Sequence, residues 1–375
     1  MFEKYEGIIN LEQILEEEYN YHFDGDLRKL YETDFVELEG NGVDAAFWIT
    51  YKGERYLFKP LKDASINIWG ELLSEAIAKH LGIPCAEYRA CNLGTQKGVI
   101  TKSIIKDDEI MLLGCEIFQR FINDYKYSEN KNILKDANFR ELYEIPDNFL
   151  ELNDYDKKRY IFNYINNLEQ AWSIIHELDL LEIEETTIVE HLKKMLIFDL
   201  ITLQVDRHPN NWAITKAKSY YYPSELFDNA TSFGLGYIDM KNRMQQFKNE
   251  FMNSKYKKDT TELERIIYAA SPNFTLSNDN VYDTNRRKKD NHFKVLNDLL
   301  YISDKETYDE VLNMFESITE DTIDTLISEL EKTNGITMPS NVYFYVTTLL
   351  NYHLEKSREL IYEYGRKYNY GSTLR

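Results

Sequence analysis

Cysteine is scarce in this sequence: Cys85, Cys91 and Cys115 are the only three among 375 residues. Their spacing fits neither a zinc site nor a disulfide framework. We therefore expect three buried thiols and a reducing, cytoplasmic setting.

Long apolar runs are also missing. The first twenty residues lack the apolar centre of a secretory signal. The most apolar stretch, MLIFDLITL, is interrupted by Asp199 and is too short to cross a bilayer. We expect no membrane span.

Positive charge is in short supply, with 44 Lys and Arg against 64 Asp and Glu, which gives a net charge of −20. A protein so acidic repels phosphate backbones, and we expect no nucleic-acid partner. One dense basic run occurs, at 286–289, and it fits either a solvated loop or a docking patch.

Proline and glycine, at 7 and 15 residues, are too few to mark a long flexible linker. What the chain does have is 43% hydrophobic residues, enough for a substantial core. Its length exceeds that of most single domains, so we expect two lobes.

The hydrophobic pattern changes along the chain. After a polar lead-in at 1–34, residues 35–121 predict a small β-sheet lobe with one helix at 69–81, which ends before Gly82 and Pro84. The predicted strands are VEL, AAFWITY, RYLFKP, AEYRAC, GVITKSI and MLLGCEIF.

Residues 122–375 predict a larger, mostly helical lobe. The predicted helices are 157–178, 185–204, 258–270, 292–301, 305–315, 318–333 and 341–364. A loop-rich hairpin at 205–234 interrupts them, and such hairpins often carry function. The fold class is therefore α+β in two lobes.

Phosphoryl transfer needs groups that hold phosphates, oxygen ligands for Mg²⁺ and an acid-base residue. Gly40, Asn41 and Gly42 lie between two predicted strands, where their backbone can approach phosphate oxygens. An ordinary hairpin turn explains the same pattern.

Lys59 ends the strand RYLFKP, where an inward lysine can pair with nucleotide phosphates. The next helix offers Glu71 or Glu75 as the partner that holds it in place. We prefer Glu71, because it lies on the first turn of the predicted helix, but the sequence leaves both open.

Asp206 and Asn211 stand on one predicted loop, so the carboxylate can accept a hydroxyl proton while the amide oxygen binds Mg²⁺. An Asx-rich turn that caps a helix is the alternative. Asp228 ends the next predicted strand and faces this loop across the hairpin, which favours a Mg²⁺ site. We expect His208 to brace the loop through a hydrogen bond to a nearby carbonyl or carboxylate, which would fix the Asp206 side chain.

Several blocks of sequence together resemble the HipA-like serine/threonine kinase family, over roughly residues 35–240. The blocks are FKP at 58–60, GELLSEAIAKHLGIP at 70–84, DRHPNN at 206–211 and LFDNATSFG at 226–234. The resemblance implies a two-lobed protein-kinase-like fold.

The resemblance also implies roles for individual residues. Lys59 would hold the ATP phosphates, Asp206 would be the catalytic base, and Asn211 and Asp228 would bind Mg²⁺. The loop near 40–44 would cover the phosphates. The segment from Glu116 to Phe121, with Phe118 at its centre, is similar to the hinge whose backbone meets adenine.

The sequence therefore predicts a kinase that uses ATP and Mg²⁺ and phosphorylates a Ser or Thr hydroxyl of a protein, itself included. Two alternatives stay open. A related fold can phosphorylate small molecules or phosphoinositides, and a pseudokinase would bind nucleotide as an interaction module.

Overall fold

The computed structural model describes most of the chain, with gaps. The described residues are 6–39, 45–61, 63–127, 151, 153, 166–177, 185–218, 220–235, 263–264, 266–267, 270, 272–276 and 291–368. The predicted phosphate loop with Gly40, Asn41 and Gly42 lies outside them, as does the basic run at 286–289.

A six-stranded sheet occupies the first part of the chain. Its strands are β1 (Ile9–Asn10), β2 (Glu37–Glu39), β3 (Ala46–Tyr51), β4 (Glu54–Pro60), β5 (Tyr88–Leu93) and β6 (Gln96–Lys102). The order is β1-β5-β6-β4-β3-β2, and β1 is parallel to β5 while the other pairs are antiparallel. Along β3, Phe47 and Ile49 are buried while Thr50 is exposed, as strand alternation requires.

Residues 9–31, within the predicted lead-in, pack on this sheet. They form β1 and two helices, α1 (Leu11–Tyr19) and α2 (Leu27–Tyr31). Leu11 and Leu15 of α1 join Phe47 and Phe58 in one apolar cluster. The domain boundaries at 34 and 121 stay a prediction.

Helix α3 (Ala64–His80) covers the opposite face of the sheet. Val99 packs with Trp69 of this helix, whereas the next residue, Ile100, belongs to the cluster under α1, because neighbouring strand residues point to opposite faces. The helix begins five residues earlier than predicted. It ends where expected, with Gly82 in the left-handed region at φ +68°.

The predicted strand MLLGCEIF is wrong beyond Leu113. Strand β7 (Glu109–Leu113) is followed at once by helix α4 (Gly114–Tyr127). Both Ile117 and Phe118 are buried, which fits one face of a helix, whereas in a strand they would point to opposite sides. The Glu116 carboxylate accepts a hydrogen bond from the Leu113 N–H at 2.9 Å and caps the new helix.

Strand β7 belongs to a second sheet of three strands, in the order β7-β8-β9. Its partners are β8 (Ala213–Ala217) and β9 (Tyr220–Pro223), both antiparallel to their neighbours. Strands β8 and β9 form the hairpin that interrupts the helical lobe, and β7 pairs with β8. It therefore fixes the loops on either side of β8 and β9.

Helices form most of the remaining described chain. They are α5 (Leu168–Glu177), α6 (Glu185–Thr202), α7 (His292–Ile302), α8 (Lys305–Ser317), α9 (Glu320–Asn334) and α10 (Ser340–Lys367). The predicted helices at 185–204, 292–301, 305–315, 318–333 and 341–364 match five of them to within three residues. Among the described helices, none is long and apolar enough to span a membrane.

One helix of this part reaches back to the sheet. The Asn334 side chain at the end of α9 accepts a hydrogen bond from the Ala90 N–H of β5 at 2.8 Å, and Arg89 donates to the Thr333 carbonyl oxygen at 2.7 Å. Helix α9 also packs against α3. The carboxyl-terminal helices therefore help to hold α3 on its sheet.

Candidate active site

Lys59 lies at the end of β4 with two carboxylates around its ammonium group. Its Nζ atom is 2.8 Å from Oε1 of Glu71 and also contacts Oδ1 of Asp228. Burial alone would lower the pKa of Lys59, but the two carboxylates raise it, so the lysine is charged. The predicted pairing of Lys59 with Glu71 is confirmed.

Glu75 takes a different partner, and this decides between the two glutamates. Its carboxylate accepts a hydrogen bond from the Tyr88 N–H at 2.8 Å, and burial raises its pKa to about 7. The reason given for Glu71 was nevertheless wrong. Helix α3 begins at Ala64, so Glu71 lies beyond the first turn and reaches Lys59 because of its face on the helix.

Glu71 also holds the segment that carries Asp228. Its Oε2 atom accepts a hydrogen bond from the Asn229 N–H at 2.7 Å, while Oε1 faces Lys59. The neighbouring Gly70 lets the helix approach this segment, since a Cβ atom there would lie 2.3 Å from the Ala230 carbonyl oxygen. Helix α3, Lys59 and the Asp228 segment are thus joined directly.

Asp228 has a left-handed backbone, with φ at +56°. Such a conformation is uncommon for a residue with a side chain, and surrounding contacts must hold it. Its N–H donates to the Tyr88 hydroxyl at 3.1 Å, and Gln204 donates to its carbonyl oxygen at 3.4 Å. Burial would raise the pKa of Asp228, but the salt bridge to Lys59 outweighs it and lowers the pKa.

The loop that carries Asp206 and Asn211 follows α6. The Asn211 side-chain N–H donates to the Asp206 carbonyl oxygen at 2.8 Å, so its Oδ1 atom is the oxygen left to act as a ligand. The Asp206 N–H donates to Oε1 of Gln204 at 3.0 Å. The same Gln204 side chain binds the Asp228 segment, so one buried amide connects both candidate carboxylates.

Burial raises the pKa of Asp206, and His208 opposes the rise while nearby Asp228 adds to it. The two aspartates are therefore close enough to interact electrostatically, with pKa values moved in opposite directions. Asp206 becomes the better proton acceptor and Asp228 the better permanent anion. Their side chains are 44% and 40% exposed, so both face solvent.

Arg207 is the central residue of the site that sequence reasoning missed. It is fully buried and forms an ion pair with Asp199 of α6 at 2.9 Å. It also donates to the carbonyl oxygens of Asn211 and Phe227 and to Oδ1 of Asn229. Arg207 therefore ties the Asp206 loop to the Asp228 segment.

A signal for this pairing is present in the sequence. Asp199 is the one charged residue in the apolar stretch MLIFDLITL, and a carboxylate buried there needs a cation nearby. The predicted brace was His208 instead. Its Nε2 atom lies 3.9 Å from Oδ1 of Asp206, beyond hydrogen-bond distance, while its Nδ1 atom accepts the Asn210 N–H at 3.2 Å. Arg207 supplies buried contacts that hold this loop, and the brace by His208 stays a prediction.

The segment predicted as the adenine hinge, with Glu116 and Phe118, is helical in the structure, and its contact with adenine stays a prediction. Both residues lie in helix α4, where the backbone N–H of Phe118 is engaged in the helix. Phe118 is buried against Trp212, with ring centroids 5.7 Å apart. An extended backbone that could meet adenine is therefore not found at these two positions.

The residues brought together fit a nucleotide with its metal ion. Asp228 and Asn211 offer a carboxylate and an amide oxygen, the ligand types that Mg²⁺ prefers beside phosphate oxygens and water. Lys59 is 27% exposed, so its charge can reach a phosphate while Glu71 holds it. Within the described ranges, no cluster of three or more His, Cys, Asp or Glu side chains forms a metal site.

Comparison with known proteins gives no match to a family model and no match among curated protein sequences. Among solved structures, the chain is similar to the proinflammatory kinase CtkA of Helicobacter pylori, with a TM-score of 0.60 and 16% identity over 89% of this chain and 97% of CtkA. The chain has a protein-kinase-like fold. This agrees with the fold that the family resemblance implied.

A second match is HipA from the toxin-antitoxin complex of Shewanella oneidensis with HipB and operator DNA. It has 12% identity and a TM-score of 0.46, over 96% of this chain and 74% of HipA. HipA gives its name to the family that the sequence blocks resemble. At such identities the comparisons show the kinase-like fold alone.

Proposed function

We propose that this protein is an ATP- and Mg²⁺-dependent kinase that transfers the γ-phosphoryl group to a Ser or Thr hydroxyl of a protein, its own chain included. The observation that carries the proposal is the convergence of Lys59, Asp206, Asn211 and Asp228 on a kinase-like fold. These are the group types that phosphoryl transfer requires.

Lys59 is the phosphate-binding residue in this proposal. Glu71 holds its ammonium group from the buried side, and the exposed side of the lysine is available to phosphate oxygens. Asn211 and Asp228 would hold Mg²⁺. When bound, Mg²⁺ neutralises charge on the phosphates of the nucleotide.

Asp206 is the proton acceptor. Its pKa is raised by burial, and its carboxylate has no lysine within salt-bridge distance among the described residues. Asp228 is the weaker base, because its salt bridge to Lys59 lowers its pKa. The acceptor hydroxyl would therefore pass its proton to Asp206 as its oxygen attacks the γ-phosphorus. The bond from that phosphorus to the β-γ bridging oxygen would break and release ADP.

The setting follows from composition. The three cysteines are free thiols, as a reducing cytoplasm allows. The net charge of −20 favours a protein partner over a nucleic acid. We therefore propose a cytoplasmic enzyme with a protein substrate.

The test is transfer of label from γ-labelled ATP with Mg²⁺ to the chain itself, to casein as a general acceptor and to a cell lysate. Asp206→Asn keeps the shape of the side chain and removes the base. We expect it to reduce labelling by at least ~100-fold while ATP binding is retained. The matched control is Asp309→Asn, at an exposed aspartate paired with Lys305.

Equal labelling by Asp206→Asn and Asp309→Asn would overturn the site assignment. Label that the wild type places on a lipid or a small alcohol instead of on protein would favour the small-molecule or phosphoinositide alternative. A wild type that binds ATP and labels nothing would favour a pseudokinase.

A further inference from the structure

Beside the candidate catalytic loop lies a second segment, 272–276, which is distant from it in sequence. The segment is bound by backbone hydrogen bonds to the start of α5: the N–H of Leu168 donates to the Thr275 carbonyl oxygen at 2.9 Å, and the N–H of Glu169 donates to the Leu276 carbonyl oxygen at 3.1 Å. Its position is therefore fixed by main-chain contacts.

Asn166 connects this segment to the catalytic loop. It is 4% exposed, and its side-chain nitrogen donates to the carbonyl oxygens of Arg207 at 2.7 Å and Asn273 at 2.9 Å. Its Oδ1 atom accepts the Trp212 ring N–H at 3.0 Å. Asn166 uses both donors and its oxygen in buried contacts, which makes the distance between the two segments well defined.

The Asn273 side chain reaches the carboxylate of Asp206. Its Nδ2 atom lies 3.4 Å from Oδ1 of Asp206, and His208 approaches the same oxygen at 3.9 Å. Both contacts fall on Oδ1. The Oδ2 atom is therefore left to face an acceptor hydroxyl.

We infer that Asn273 is a positioning residue for transfer: its amide N–H holds Oδ1 of Asp206, so that Oδ2 receives the proton of the acceptor hydroxyl. This inference rests on the proposed function and specifies how its base is oriented. A general base must be held in hydrogen-bond reach of the proton that it takes, and small errors in that geometry reduce the rate strongly.

Charged groups surround Asp206 and affect the same carboxylate. His208, Arg207 and Lys59 favour its ionised form, whereas Asp228 disfavours it. Asn273 is uncharged, so its contribution can be changed by adding a charge without removing any of these groups. That makes the asparagine a suitable position for a pH-dependent test.

Asn273→Asp replaces the donor with a carboxylate of the same shape. We expect kcat for label transfer to fall ~10- to 100-fold at neutral pH, with KM for ATP unchanged. A second negative charge beside Asp206 also raises the pKa of the base, so the acid limb of the kcat-pH profile should move to higher pH. A purely structural role would instead lower thermal stability and leave kcat of the folded protein unchanged.

Asn10→Asp is the matched control, because Asn10 caps α1 through its Oδ1 atom and an aspartate retains that acceptor. It should have the wild-type kcat and pH profile. Asn273→Ala removes the donor without adding charge. We expect Asn273→Ala to reduce kcat ~10-fold with KM for ATP unchanged. If thermal melting shows that Asn273→Asp does not fold, the Asn273→Ala variant alone tests the positioning role.

If Asn273→Ala has the same kcat and pH profile as the wild type, the inference is overturned. The proposed function still holds in that case, provided that the wild type transfers label. The two failures can be told apart, because absence of transfer by the wild type itself would count against the proposed function. Restoration of kcat by Asn273→Ser, which returns a hydroxyl donor, would support the positioning role.

Discussion

Two ion-pair networks meet at the candidate active site, and they differ in their contact with solvent. Arg207 and Asp199 are both fully buried, and the guanidinium of Arg207 is surrounded by acceptors. Lys59 and Asp228 are 27% and 40% exposed, so their charges are only partly enclosed. The buried network fixes the positions of the loops, and the open network presents charge to a ligand.

The buried network uses an arginine and the partly exposed network uses a lysine, and this choice fits their different roles. Arginine offers five donors in a rigid plane, and Arg207 uses them on a carboxylate, two carbonyl oxygens and an amide oxygen. Lysine carries a compact charge on a flexible stem, and Lys59 shares its charge between Glu71 and Asp228. A lysine can exchange such a partner for a phosphate with little change in the protein.

The largest effect expected from this comparison is on stability. Asp199→Asn leaves Arg207 buried without its carboxylate, and we expect the free energy of unfolding to fall by ~3–5 kcal/mol, measured by urea denaturation. The control, Asp309→Asn, breaks an exposed pair with Lys305 and should cost less than ~1 kcal/mol. Equal losses in the free energy of unfolding would show that the buried Arg207–Asp199 pair contributes no more to stability than an exposed pair.

Two substitutions test the choice of cation in each network, Arg207→Lys and Lys59→Arg. Arg207→Lys leaves several buried acceptors without a donor, so we expect a loss of ~2–4 kcal/mol in the free energy of unfolding. Lys59→Arg keeps the charge beside Glu71 and should change stability by less than ~1 kcal/mol, yet lower kcat/KM for ATP ~10- to 100-fold.

Urea denaturation and label transfer, applied to both cation variants, give the two readouts. Lys305→Arg on the surface of α8 is the control for the lysine change. A Lys59→Arg variant that loses stability but not activity would reverse the assignment of the two networks.

The smallest effect concerns Glu75, which lies on α3 near the open network and whose pKa is lowered only in part by Lys79 and Arg89. Burial raises its pKa from 4.5 to about 7, which the hydrogen bond from Tyr88 opposes and Glu87 reinforces. Because the folded pKa lies above the unfolded value, this group favours the folded state at low pH. That contribution is lost as the pH rises from 4.5 through 7.

Replacing the side chain in Glu75→Gln adds a constant, pH-independent difference in the free energy of unfolding. Beyond that constant, the variant should equal the wild type near pH 4.5 and be more stable by ~1–3 kcal/mol at pH 8. Urea denaturation at several pH values measures the difference. Glu359→Gln, at an exposed glutamate paired with Lys356, is the matched control and should show no such trend. A difference that is flat in pH would contradict the raised pKa of Glu75.

Much of the fold could be predicted from local pattern. Alternation identified the strand that carries Lys59, and apolar periodicity located five of the helices in the second half. The failure at MLLGCEIF has a local cause as well, because an apolar run fits a strand and a buried helix equally. The cap that Glu116 gives to α4 decides for the helix.

The candidate site was predicted in part. Lys59, Glu71, Asp206, Asn211 and Asp228 were chosen by residue type and order along the chain, and the structure brings them together. Their chemical roles stay predictions that the label-transfer assay tests. Glu116 and Phe118 were assigned to a strand because an apolar run does not reveal the helix that contains them.

Residue types and short-range periodicity predict which side chains are available for chemistry and which local elements carry them, because both act within a single element. The partners that those side chains meet follow from tertiary packing. The contacts of Lys59 with Asp228 and of Asn273 with Asp206 join residues 169 and 67 positions apart. Such contacts depend on how helices and sheets pack, and packing is a property of the whole chain.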